Sequence, residues 1–153
     1  MTEPARWLAD AVVTRDLDRI KPDMAAAGFR INDARSNVTG ARMVSTTTPT
    51  LAVSACHDAA RKAITAHMVA NGYRPKGEGA HRIVVEYAHV VLAEVLTEAD
   101  LEALDDLRAD RGEAEYGDFA QRHFDAEHIE AAAALAERIV NAIAGALAGP
   151  KSS

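Results

Sequence analysis

Between Pro49 and Asn71 the chain places small apolar residues at helical spacing, and no other feature constrains its fold as much. Leu51, Ala55, Ala59, Ala63 and Ala66 fall on one narrow face of a helix spanning about residues 50–71, which Cys56, Ile64 and Met68 widen. Alanine favours helix, and a face of methyl groups lets neighbouring helices approach closely. Strand signals are sparse, since aromatic residues make up only 5% of the chain. The expectation is an all-α fold, an up-and-down bundle of five to six helices.

The flanking segments fit that frame. Trp7, Leu8, Ala11, Val12 and Leu17 suggest a first helix from Glu3 to about Ile20, ended by Lys21-Pro22. Ala27, Ile31, Ala34, Val38 and Ala41 predict a second over about residues 23–44, and Ser45–Thr50 is a turn and helix-start signal. Asn71-Gly72 ends the third helix, and Tyr73 to Ala80 reads as a Gly- and Pro-rich loop. A fourth helix is expected over about residues 81–96. Its β-branched Ile83, Val84, Val85, Val90 and Val91 also allow a strand, but the length favours helix. Thr97-Glu98-Ala99-Asp100 is a capping box ahead of Leu101, Leu104 and Leu107 on a helix running to about Arg111. Gly117-Asp118 interrupts the next stretch. A last helix over about residues 125–147 carries Ile129, Ala132, Ala136, Ile139, Val140, Ile143 and Leu147 on one stripe. Residues 1–150 are read as one domain, with 1–21 as an N-terminal helical extension and 150–153 as a disordered tail.

The one cysteine, Cys56, permits no intrachain disulfide and is expected to be buried and inert. Charged residues interrupt the N-terminal segment, and the late apolar run from Ile139 to Gly149 is too short to span a bilayer. A cytoplasmic protein without membrane contact is therefore expected. The net charge of −6 disfavours a broad nucleic-acid surface, so any phosphate contact must come from a local cluster or a partner's positive surface.

Three stretches in fixed order carry a family resemblance: Cys56-His57-Asp58-Ala59-Ala60-Arg61-Lys62-Ala63 leading to Asn71-Gly72-Tyr73-Arg74, then Gly79-Ala80-His81, then Leu107-Arg108-Ala109-Asp110-Arg111-Gly112-Glu113-Ala114-Glu115-Tyr116. The first resembles the "DAARKAL" helix of actinobacterial HEPN-like proteins, the second their Gly-x-His, and the third their Arg-x-x-Arg-Asn-x-x-Glu-Tyr segment. The likeness extends over about residues 16–147. It implies a helical bundle that forms a homodimer. It also implies a role with a nucleotidyltransferase or an RNA or nucleotide system, as in toxin–antitoxin or defence pairs.

Many HEPN proteins are metal-independent ribonucleases that pair an arginine with a histidine four to six positions later. The pairing makes chemical sense, because the histidine moves protons near neutral pH and the guanidinium holds the phosphate. Here Arg111 is followed by Gly112, and Tyr116 stands where a histidine is expected. A phenol is deprotonated in only about one molecule in a thousand at pH 7. The reading is therefore a binding protein lacking the usual pair, with Tyr116 resembling the nucleotide-accepting tyrosine of some nucleotidyltransferase-paired members.

An endoribonuclease using an Arg/His pair is the alternative. The loose spacing occurs at Arg61/His67, Arg74/His81, Arg82/His89 and Arg122/His128, where roughly one or two matches arise by chance. Arg122-His123-Phe124-Asp125-Ala126-Glu127-His128 is the best of them, having a polar residue after the arginine. Arg111, Tyr116, Arg122 and His128 are thus the catalytic candidates. Arg108, three residues from Arg111 and expected on the same face, joins Lys62 and His81 as candidate phosphate or nucleotide contacts. For Arg108 and Arg111 the rival role is a structural ion pair with Glu113, Glu115 or an aspartate, and Lys62 also suits an i,i+4 pair with Asp58. No metal-ligand spacing and no phosphate-cradling Gly loop occurs, so neither metal nor cofactor is implied. A structural protein-interaction module is the third reading.

Overall fold

The computed structural model describes residues 1–77, 80–116 and 124–149. Its helices are α1 (Glu3–Val13), α2 (Met24–Met43), α3 (Pro49–Ala70), α4 (Ala80–Val91), α5 (Glu98–Tyr116) and α6 (Ala126–Leu147), with two short strands, β1 (Leu17–Arg19) and β2 (Tyr73–Pro75). The architecture is all-α.

The alanine pattern does what its geometry requires. Ala52, Ala59, Ala60, Ala63 and Ala66 of α3 are all fully buried, and α3 packs against α2, α4, α5 and α6. It is the central helix. Adding a methylene to such a face costs about 1–3 kcal/mol through overpacking, so the small residues set how closely the helices pack. The expected stripe of α2 is buried at all five positions, and α6 contributes Ile129, Ala132, Ala136, Ile139, Val140 and Ile143. Leu51 and Ala55 are the exceptions on the expected α3 face, Ala55 being only partly buried. At 55% exposed, Leu51 sits in the first turn, before the helix enters the bundle.

Caps define the ends. Thr2 Oγ1 accepts from Ala5 N, Asp23 Oδ1 from Ala26 N, Thr97 Oγ1 from Asp100 N, and Asp125 Oδ1 from His128 N. Polar contacts then bind α2 to α6: Arg42 reaches Glu130 at 3.0 Å and Glu137 at 2.6 Å, and Arg35 donates to Asn141 at 2.7 Å.

Three expectations are revised. The first helix does not reach Ile20. It ends at Val13, Arg15 adopts φ +67°, and Leu17–Arg19 pairs antiparallel with Tyr73–Pro75, so part of the expected 73–80 loop is strand. Leu17 is buried as a strand residue, and Gly72 at φ +89° makes the turn that brings β2 under β1. The fourth segment is helical despite its β-branched residues, but stops at Val91 and continues as turns in which Leu92 and Leu96 remain buried. The fifth helix runs past Arg111 to Tyr116. Gly117-Asp118 and the tail 150–153 lie outside the described residues.

α1 packs on the core through buried Ala11 and half-buried Trp7, Leu8 and Val12, and one of its contacts is aromatic. Trp7 meets the ring of Tyr87 edge-on at 6.2 Å, and the Tyr87 hydroxyl is 2.8 Å from His67 Nδ1. Burial lowers the His67 pKa and raises that of Tyr87, so both stay neutral at pH 7. No helix among the described residues is long and apolar enough to cross a membrane.

Candidate functional site

The end of α5 gathers the chemistry. Leu101, Leu104 and Leu107 are buried and hold this helix in the bundle. One turn on, Asp110 is only 7% exposed and points toward α6. An aspartate so placed needs a partner, since burying a carboxylate without one is costly. His128 supplies it: Nε2 lies 2.9 Å from Asp110 Oδ2. The Asp125 cap fixes His128 in the first turn of α6, and the Phe124 ring packs on its imidazole at 5.2 Å.

With Nε2–H donating to the carboxylate, the lone pair of His128 is on Nδ1, the tautomer that such a partner selects. Asp110 and His128 open onto a crevice of about 220 Å³ between α5 and α6, floored by Leu107 and Leu135 and flanked by Asp106 and Arg138. Its volume is below that of a typical small-molecule cavity, so it suits part of a larger ligand.

Arg111, the next residue, turns a further 100° around the helix. It is half-buried and its charge bears on His57 of α3. His57 is 4% exposed, and its Nδ1 has no hydrogen-bond partner. Burial first, then the positive charge of Arg111, pushes its pKa down to about 4. Arg61 and His81 press in the same direction, and Asp58 opposes them. Charges from three helices, Arg111 of α5, Arg61 and Asp58 of α3 and His81 of α4, thus bear on one buried, neutral imidazole.

The other candidates are placed as follows. Arg108 and Arg111 both lie on α5 three residues apart, so they share a face as expected, Arg108 exposed and Arg111 half-buried. Lys62 Nζ lies 3.4 Å from Asn37 Oδ1, and Asp58 pairs instead with Arg61 at 3.7 Å, which replaces the expected Lys62–Asp58 pair. His81 is exposed in the first turn of α4. Tyr116 closes α5, but its side chain lies outside the described residues, as do the side chains of Glu113 and Glu115 and the whole of Arg122. The basic residues around the 73–82 segment are answered by acids: Arg74 and Lys76 by Asp18, and Arg82 by Asp16 and Glu86. Cys56 is fully buried, and burial raises its thiol pKa to about 11. Among the described residues no group of three or more His, Cys, Asp or Glu could hold a metal ion.

Sequence reasoning missed Asp110 and His57. Asp110 does continue the Leu101, Leu104, Leu107 series, and a carboxylate on a buried stripe was the available signal. His57 lies inside the family-like stretch beside Cys56, where its alignment with buried alanines was the clue.

The family model described as HEPN domain matches residues 29–146, a span running from α2 to the last turn of α6. No match was found among curated proteins.

Proposed function

Because this chain belongs to the HEPN domain family, whose functions are RNA- and nucleotide-related, we propose that it cleaves RNA without metal. His128 moves the proton and Arg122, six positions earlier, holds the phosphate. The observation behind this reading is the 2.9 Å contact between buried Asp110 and His128 at the rim of a crevice. A histidine held by a carboxylate in one tautomer is the usual form of a positioned general base.

Nδ1 of His128 takes the proton of a ribose 2′-hydroxyl, whose oxygen then attacks the adjacent phosphorus. The P–O5′ bond breaks, leaving a 2′,3′-cyclic phosphate, and the departing O5′ is protonated by the imidazolium of a second copy's His128. The reading thus includes a homodimer. The Arg122 guanidinium offsets charge on the non-bridging oxygens. The test is mixed RNA in chelator with wild type, His128→Ala and Arg122→Ala. Cleavage by wild type, slowed about 10²–10⁴-fold in each variant, is expected, and intact RNA with wild type overturns it.

One observation favours a second reading. With Arg74, Lys76 and Arg82 neutralised by neighbouring acids and a net charge of −6, the described surface offers little to a long RNA. A binding role beside a nucleotidyltransferase, in a toxin–antitoxin or defence pair, fits that balance. Tyr116 would receive the nucleotide. Labelling by a nucleotidyltransferase with ATP, abolished in Tyr116→Phe, is the corresponding measurement.

A further inference from the structure

We infer that the outer face of α2 is a contact surface for a second copy of this chain, packed antiparallel to it about a two-fold axis. Phe29 and Met43 stand out from α2 into solvent, 75% and 77% exposed. With Asp33, Ser36 and Gly40 between them they follow the alternating four- and three-residue spacing of a helix–helix seam. The series lies on the side turned away from the buried stripe at Ala27, Ile31, Ala34, Val38 and Ala41. A single exposed apolar residue is ordinary, whereas large side chains aligned at seam spacing are what a partner helix packs on. Gly40 sits inside the helix, where glycine is disfavoured, and a Cβ there would meet nothing within 4 Å. Nothing inside the chain requires its missing side chain. Beside it a groove of about 320 Å³ runs between α2 and α3, lined by Gly40, Val44, Leu51 and Ala55.

Symmetry identifies the occupant. A two-fold contact pairs residue i with j and j with i, so the surface must complement itself. Phe29 with Gly40, Asp33 with Ser36 and Ala26 with Met43 share one midpoint, between Ala34 and Arg35. Antiparallel copies centred there set each large side chain against a small one. Phe29 of one copy enters the groove beside Gly40 of the other, Met43 covers Ala26, and the Ser36 hydroxyl donates to the Asp33 carboxylate. The charge distribution points to the same occupant. The chain carries −6, and like charges set against each other across an interface are costly. α5 turns Glu98, Glu102, Asp105 and Asp106 to solvent, whereas Asp33 is the only acid of α2. Two acidic copies therefore meet on α2 without opposing rows of carboxylates.

α2 joins the bundle through α3 and α6, and its outer face points away from both, so this contact leaves the α5–α6 crevice uncovered. It is separate from the pairing of two His128 side chains in the cleavage reading and does not rest on that reading.

Sedimentation velocity of the full chain at rising concentration is the test. The proteins are wild type, Phe29→Ser, Gly40→Leu, the double variant Phe29→Ala/Gly40→Leu, and Val13→Ser, which removes a comparably exposed apolar side chain from α1. Wild type should associate, and Phe29→Ser and Gly40→Leu should each weaken association about tenfold or more. Both positions are open in the single chain, so circular dichroism should show the helices unchanged. The double variant moves the bulk from position 29 to position 40. It should recover most of the lost affinity, because large still meets small across the axis, and Val13→Ser should behave as wild type. A wild type that stays monomeric overturns the proposal, as do single variants that associate like wild type or a Val13→Ser loss as large as that of Phe29→Ser. A double variant no better than Gly40→Leu overturns it as well. Single variants that associate like wild type would leave the His128 pairing standing, so the two contacts fail separately.

Discussion

Replacing His57 with phenylalanine separates its protonation from every other pH-dependent contribution to stability. In the wild type, burial and then Arg111 lower the His57 pKa from 6.5 to about 4. As pH falls below 6.5 the unfolded chain takes up a proton on this imidazole while the folded chain resists until about pH 4. The unfolded state then binds more protons, so the folded state loses stability through that window and loses none above it. Between pH 7.5 and 4.5 the loss comes to about 2.5 kcal/mol, with a slope approaching 1.4 kcal/mol per pH unit. Phenylalanine fills a similar volume without a titrating group or an orphaned nitrogen. The variant should therefore be at least as stable as wild type at pH 7.5 and about 2.5 kcal/mol further ahead at pH 4.5. Urea denaturation of both proteins in phosphate-free buffer across this range measures the difference, because groups titrating alike in both, such as His67 and Glu130, cancel. A stability gap constant to within about 0.5 kcal/mol over those three pH units would refute the reasoning.

Other perturbations follow from the same structure. Gly72→Ala places a Cβ 2.9 Å from the Ile20 carbonyl oxygen at φ +89°, and thermal denaturation should show a loss of about 1–3 kcal/mol. Leu104→Ala empties a position that is 1% exposed between α5 and the core, and chemical denaturation should register about 2–5 kcal/mol. Cys56, buried with its pKa raised to about 11, should resist a thiol reagent at pH 8 in the folded protein and react once urea unfolds it. Raising salt should destabilise wild type more than Arg42→Met in melting experiments, since Arg42 joins exposed Glu130 and Glu137 through screened ion pairs.

The helical scaffold was legible because its signals are local. The alanine series on α3, the five-residue stripe on α2 and the capping box at Thr97 each act within a few residues, and α2 and α6 start within one residue of the expected 23 and 125. The β1–β2 pair was not legible, because three-residue strands carry almost no periodicity and their partners lie on opposite sides of α2 and α3 in the chain. Arg108 and Arg111 share a face of α5, as their spacing of three requires, but differ in burial. The buried series Leu101, Leu104, Leu107 and Asp110 advances by threes, which turns it back about 60° per step and leaves Arg108 in solvent. Asp110 and His128, 18 residues apart on different helices, meet only once α5 and α6 are packed. Spacing along one helix could not reveal that pairing. His128 itself was visible through its spacing from Arg122.

Single-turnover cleavage of a short RNA in chelator, comparing wild type with Asp110→Asn, bears most directly on the role given to the carboxylate beneath His128. The account predicts a product ending in a 2′,3′-cyclic phosphate, formed at least about tenfold more slowly by the variant while its melting temperature stays high enough for the fold to persist at assay temperature. Equal rates in the two proteins, or RNA left whole by both, would contradict it.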